Sequence, residues 1–199
     1  SVPPPNKRVS NRMSHFIPHS TPIDGLNVIE RERVGDSRGF LERMFCQDSL
    51  GPFLQGKTVR QINRTLTRQK GTVRGLHFQN PPHAETKIVT CLKGQVWDVA
   101  VDLRRGSPTF LEHHAVLLTE DNHYSFLIPE GFAHGFQTLT SDCEMLYFHT
   151  ADYNVEFEGA LNAIDPSLSI SWPAPITERS DRDVNHPMVA DNFQGIEWS

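Results

Sequence analysis

Cysteine is scarce in this chain, long apolar runs are missing, and neither sign of charge dominates. The three cysteines, Cys46, Cys91 and Cys143, are odd in number, widely spaced and without a CxxC pair. That argues for reduced thiols, each within or at the end of a strand, in a cytoplasmic protein, and against a disulfide framework. None has an activating neighbour in sequence, so no nucleophilic role is indicated. No apolar run approaches the ~20 residues that cross a bilayer, and the longest strand-like run, 96–103, is interrupted by Asp98 and Asp102. A formal net charge of −5, with acids and bases intermixed, leaves no basic stripe for nucleic acid and no polybasic patch for a membrane. Long helical periodicity and internal repeats are also missing. The opening SVPPPNKRVSNR is polar and proline-rich, without the apolar segment of a signal peptide. Residues 1–14 are expected to be a disordered lead-in, with Met13 nearer a natural start. Residues 15–199 suit a single domain with a sizeable core.

What is present is a succession of short strand-like segments separated by turn residues. Strands are expected over 26–30, 39–46, 59–66, 87–92, 95–103, 109–118, 123–128, 134–139 and 143–150, with a short helix over 47–54. Lys93-Gly94 reads as a hairpin turn between two of them. In the run 95–103, Trp97, Val99, Val101 and Leu103 share one face, while Val96, Asp98, Ala100 and Asp102 share the other. From Ala151 the pattern fades into a proline-punctuated tail with a short helix near 177–182. The spacing predicts an all-β antiparallel sandwich or jelly roll.

Three stretches carry chemistry. RGLHFQNPPHAETK, residues 74–87, puts His77 near the end of one strand and Lys87 near the start of the next, with Asn80-Pro81-Pro82 forcing the turn between them. A neutral imidazole takes up a proton near pH 7, and a nearby ammonium stabilises the negative oxygen that results. IPEGFAHGF, residues 128–136, brackets His134 with glycines, which let backbone come close to a ligand. Tyr147 lies within a strand. Taken singly, the first stretch fits an ordinary core histidine equally well, and the other two fit a tight turn and a core aromatic better.

Taken together, RGLHFQ, Lys87, GQVWDVAVDLRRGSPTF, IPEGFAHGF and the Leu146-Tyr147 pair resemble, in order and spacing, the nucleoside-diphosphate-sugar epimerases of the dTDP-4-dehydrorhamnose 3,5-epimerase family. The resemblance runs over residues 23–187. It implies a cupin-like jelly roll, a homodimer, a dTDP-4-keto-6-deoxyhexose substrate, and no metal or other cofactor. Carried over residue by residue, it makes His77 the base, Tyr147 the acid on the opposite face of the sugar, and Lys87 the cation near the C4 oxygen. In the tail, Ser180-Asp181-Arg182-Asp183 is similar to the family's serine-x-lysine-aspartate segment, so Asp183 partners His77. Arg38 matches an arginine that reaches the substrate from the partner subunit. Gln61, Asn63, Arg74, His134 and Glu158 match substrate-contacting positions.

Three positions depart from the family pattern. Arg43 stands where the family has glutamate, with Glu42 one residue earlier, and one step along a strand changes the face. Asp152 stands where an aromatic stacks on the thymine; Tyr153 follows it, and a one-residue shift in an irregular segment brings Tyr153 into the stacking position. Arg182 replaces the lysine, which keeps the charge and changes its hydrogen-bond geometry.

Arg74 and His77, three residues apart, would point to opposite faces of a regular strand. For both to reach one pocket the ladder must be disrupted between them, and Gly75 is where a bulge is tolerated. Other readings stay open on sequence alone. One is a metal-dependent cupin using His77, His83, Glu85 and His134. A second is an inactive sugar-nucleotide-binding module, and a third is an enzyme that inverts C3 or C5 alone or takes another nucleotide.

Overall fold

The computed structural model describes residues 15–198, and the expected lead-in over 1–14 lies outside the described residues. In chain order the elements are β1 (Phe16–Ser20), β2 (Asn27–Arg31), β3 (Arg33–Asp36), β4 (Gly39–Glu42), α1 (Gln47–Leu50), β5 (Gln61–Thr67), β6 (Val73–Gln79), β7 (Lys87–Lys93), β8 (Gln95–Asp102), β9 (His113–Thr119), β10 (Tyr124–Ile128), β11 (Phe132–Thr138), β12 (Cys143–His149), β13 (Glu158–Ala160) and α2 (Asp181–Val184). Two antiparallel sheets face each other, one in the order β1-β2-β10-β7-β12-β5 and the other β13-β6-β11-β8-β9. β3 and β4 form a separate two-stranded hairpin. This is the expected jelly roll.

Alternation along β8 explains how the layers stack. Val96 and Ala100 join Val89, Cys91, Met145 and Phe136 in the core between the two sheets. The opposite face of the same strand, with Val99, Val101 and Trp97, is covered by the tail through Leu168, Trp172 and Ile196. Fully burying such a side chain stabilises by ~1.5–3 kcal/mol, so the irregular tail is fixed by apolar burial and needs little strand pairing. That matters for the site, because the tail carries Asp183.

Several expectations need correction. Gly94, with φ of 83°, turns the chain as expected, but β7 and β8 do not pair with each other. β7 lies between β10 and β12, while β8 lies between β11 and β9, so the turn carries the chain from one sheet to the other. The strand expected over 39–46 stops at Glu42, because its only partner, β3, pairs Arg33 with Glu42 and offers nothing beyond. Cys46 consequently sits at the start of α1 and not in a strand. The strand expected from 109 begins at His113, since Ser107 and Thr109 donate hydroxyl hydrogen bonds to Asp102 Oδ2, at 2.5 and 2.6 Å, and fold into a turn. The tail helix starts at Asp181, where Ser180 caps it by accepting from the Asp183 N–H. β1, β3 and β13 are additions to the expected set.

The bulge at Gly75 is present. On β11, His134 pairs with His77 and Phe136 with Arg74, so Gly75 and Leu76 together oppose Gly135. Leu76 exchanges backbone hydrogen bonds with Leu161, at 3.1 and 3.0 Å, and buries its side chain under the tail. Gly75 has φ of 122°, and a Cβ there would lie 2.7 Å from the His134 carbonyl oxygen and 2.8 Å from Gly135 Cα. Both neighbours are backbone and cannot swing aside. Gly75→Ala is therefore expected to destabilise the fold by at least ~1–3 kcal/mol. Gly51→Ala, where φ is −48° and a Cβ meets nothing within 4 Å, is expected to be near neutral. Urea unfolding of the two variants beside wild type checks this, and equal midpoints would refute it.

Candidate active site

A cavity of about 1020 Å³ opens between the sheets. Arg74, His77 and His134 line it from the five-stranded sheet, and Gln61, Asn63, Lys87 and Tyr147 from the six-stranded sheet. Tyr153, Glu158, Arg182 and Asp183 complete its rim. The bulge is what puts Arg74 and His77 on the same side of β6. Arg74 donates through Nε to Thr67 Oγ1 at 2.9 Å, which steadies its exposed guanidinium at the cavity.

Asp183 is the best-anchored group in the site. Its Oδ1 lies 2.7 Å from His77 Nε2 and 2.9 Å from His186 Nε2, and its Oδ2 accepts the Gly75 N–H at 3.1 Å. Burial opposes its charge, but the hydrogen bonds from His77, Gly75 and His186 outweigh burial and hold the carboxyl down to about 2. Because Asp183 engages Nε2, the nitrogen of His77 left to take a proton is Nδ1.

The facing wall supplies the complementary groups. Tyr147 is buried, and burial pushes its hydroxyl above the usual tyrosine range; it keeps its proton at neutral pH. Lys87 is buried with its ammonium 3.5 Å from Glu85 Oε1. Burial works against the Glu85 charge, yet the hydrogen bond from His149 and the Lys87 cation hold this carboxyl below the ordinary range. His149 Nδ1 lies 3.0 Å from Glu85 Oε2, and the His149 ring stacks parallel to Tyr147 with centroids 6.0 Å apart. At the floor, His134 Nε2 meets Asp98 Oδ1 at 2.8 Å. Burial shifts this pair toward its uncharged forms, raising Asp98 and lowering His134.

At the open end, the Tyr153 hydroxyl donates to Glu158 Oε2 at 2.8 Å, and Arg182 pairs with the same carboxylate. The Tyr153 backbone N–H donates to Gln61 Oε1 at 3.1 Å. Asp152 faces elsewhere, in an exposed contact with Arg60 at 3.3 Å. Arg38 is the one expected site residue that does not line the cavity. It sits on the β3–β4 turn with its side chain 88% exposed, paired with Asp36. Glu42 is buried between Arg31 and Arg33 at 2.8 and 2.9 Å, where it anchors the hairpin.

The alternative set His77, His83, Glu85 and His134 does not gather into a single cluster among the described residues. His83 packs on Phe157 and contacts Asn154, Glu85 serves Lys87 and His149, and His134 serves Asp98. His149 and His186 join the site in addition to the expected residues. The first stands two residues after Tyr147, so strand alternation was a usable signal. The second stands three residues after Asp183, the i,i+3 spacing of one helical turn, so it was a usable signal once the helix is placed over Asp181–Val184.

A family model described as dTDP-4-dehydrorhamnose 3,5-epimerase matches residues 20–191. The chain is 37% identical over 173 residues to a dTDP-4-dehydrorhamnose 3,5-epimerase of Sinorhizobium fredii, covering 86% of this chain and 89% of that protein. It is 36% identical over 170 residues to the enzyme of the same name from Salmonella typhimurium, covering 85% and 93%. A dTDP-6-deoxy-D-glucose-3,5-epimerase from Legionella pneumophila, solved in complex with dTDP-4-keto-L-rhamnose, superposes with a TM-score of 0.86 at 35% identity, over 93% of this chain and 100% of that one.

The depressed Asp183 carboxyl has a consequence for stability. A group held at about 2 in the fold against a usual 3.8 contributes above pH 4, and that contribution is lost as pH falls toward 2; linkage makes it about 2 kcal/mol. The stability difference between wild type and Asp183→Asn is expected to shrink by that amount between pH 5 and pH 2. Urea unfolding across this range measures it, and a difference that does not change with pH would refute it.

Proposed function

Because the chain belongs to the dTDP-4-dehydrorhamnose 3,5-epimerase family, we propose that it epimerises a dTDP-4-keto-6-deoxyhexose at C3, C5 or both. The observation that carries this reading is the opposition of the His77–Asp183 pair on one wall to the protonated Tyr147 and Lys87 on the other. Hydrogens on C3 and C5 lie α to the C4 ketone, so each is acidic enough to be removed as a proton. His77 takes one through Nδ1, and the electron pair of the broken C–H bond moves into an enolate whose oxygen Lys87 stabilises. Tyr147 then delivers a proton to the same carbon from the opposite face, which inverts the centre. Asp183 orients the His77 ring and stabilises the imidazolium. No atom is oxidised overall, so the reaction draws on no redox partner.

For the nucleotide, Arg74 and Arg182 supply cations suited to a diphosphate. Tyr153 is the aromatic proposed to stack on the base; its position on the cavity rim supports this. Gln61, Asn63, His134 and Glu158 are the polar contacts. Arg38 is proposed to act in the neighbouring subunit of a two-fold dimer. Its exposure supports this, as do the uncovered Val34, Phe40 and Leu41 on its hairpin and Ile62 on the edge strand β5.

Incubation with dTDP-4-keto-6-deoxyglucose in D₂O, followed by NMR at C3 and C5, tests the chemistry. Deuterium is expected at one or both carbons, and His77→Asn should slow its entry by ~10²–10⁴-fold while the protein stays folded. Label at both carbons identifies a double epimerase and label at one a single epimerase; none, or a fully active His77→Asn, overturns the reading. The shared site has its own test. Chains carrying Arg38→Ala and chains carrying His77→Asn, once mixed into dimers, should regain about a quarter of wild-type sites, since one site in each mixed dimer is intact. No gain over the separate variants would remove Arg38 from the partner's site.

A further inference from the structure

We infer that His186 is a positioning residue that sets the basicity of His77 through the one Asp183 oxygen both histidines share. This rests on the reading of His77 as the base. Asp183 Oδ1 lies 2.7 Å from His77 Nε2 and 2.9 Å from His186 Nε2. The two rings meet edge to face at 88° with centroids 5.6 Å apart, and both reach the same oxygen. The second oxygen is occupied by the Gly75 N–H, and the carboxylate cannot turn to give each histidine its own acceptor. His186 is nearly buried and does not line the cavity, so it acts through Asp183 and not on substrate.

The direction of the effect follows from the shared acceptor. A carboxylate oxygen holding two N–H donors pulls less on each than it would on one. The imidazolium form of His77 is therefore less stabilised than in a two-membered pair. A proton on His186 would add a second cation beside it and push the same way. His186 thus keeps His77 unprotonated, and competent as a base, to lower pH. The other charged or titratable groups around His77 are His134 from β11, Glu158 with its partner Arg182 at the rim, Arg74 on its own strand, and Lys87 across the cavity. Around His186 they are Asp183 and, through Asn162, Arg179: Asn162 donates to the His186 carbonyl at 3.1 Å and accepts from Arg179 at 3.0 Å. All of these remain when His186 alone is replaced.

His186→Phe keeps a ring and removes the donor; His186→Gln keeps an N–H donor that cannot carry charge. Two readouts are taken on each: the pH profile of kcat/KM, and the titration of the His77 ring followed by NMR of labelled imidazole in the protein without substrate. The Phe variant is expected to raise both the acidic limb and the His77 midpoint by roughly half to one pH unit, with the Gln variant between it and wild type. A His77 midpoint that stays put or falls in these variants, with only kcat reduced, overturns the proposal and leaves His186 a packing residue. The wild-type titration needs no variant to fold. There the two rings should show coupled two-step curves, and independent single-step curves for both would also overturn it. If His77→Asn were to keep full exchange, the base assignment would fall, while the NMR titration would still report whether the two rings are coupled.

Discussion

A single backbone N–H, that of Gly75, ties the fold to the chemistry. In an unbroken ladder this group would be consumed by β11. The extra residue opposite Gly135 releases it, and it points instead at the Asp183 carboxylate. The same irregularity turns Arg74 and His77 toward one cavity. Glycine is required on both sides of the bulge, because a Cβ on Gly75 would strike the β11 backbone and one on Gly135 would strike the Arg74 carbonyl oxygen at 2.7 Å. The sheet gives up a stretch of regular pairing there, and a carboxylate from the tail takes up the freed donor.

Around this point the cavity gathers charge that would be costly if unpaired. Three histidine–carboxylate pairs, His77–Asp183, His134–Asp98 and His149–Glu85, are distributed over both walls. They differ in burial. His134–Asp98 is sealed and driven toward its neutral forms, whereas the His77 side chain retains 39% exposure toward the cavity. On the proposed reading His77 is the proton acceptor and stays reachable, while the sealed pair holds a fixed hydrogen-bonding pattern at the cavity floor. Lys87 shares Glu85 with His149, so its cation is compensated before any enolate forms.

Much of this was legible in the sequence, for identifiable reasons. The bulge followed from a conflict between the Arg74–His77 spacing and strand alternation, with a glycine at the one place able to resolve it. The two faces of β8 followed from strict alternation. What stayed hidden depended on pairing between distant segments. Lys93-Gly94 encodes a turn, but a turn dipeptide does not say whether the strands it joins share a sheet. The end of β4 depended on how short β3 is. Arg38 fell outside the cavity of its own chain because its hairpin belongs to neither of the sheets that wall it. His186 lies one helical turn beyond Asp183, and its pairing stayed hidden because the helix was expected to end near residue 182 and runs instead over Asp181–Val184.

Strand order also has a bearing on how the protein is made. The six-stranded sheet sets β7 between β10 and β12, so Lys87 gains its neighbours only after the chain has been synthesised through Cys143–His149. Asp183 is separated from His77 by 106 positions and emerges later still, on a tail that cannot dock until the outer face of β8 exists to receive it. Long-range pairing of this kind is slow, since loop closure must precede the contacts that reward it. A nascent chain on the ribosome can therefore hold both walls of the cavity while its histidine still lacks a carboxylate. On the proposed assignment of His77 as the base, the carboxylate that supports it is supplied by the tail alone, after every strand of both walls has been made.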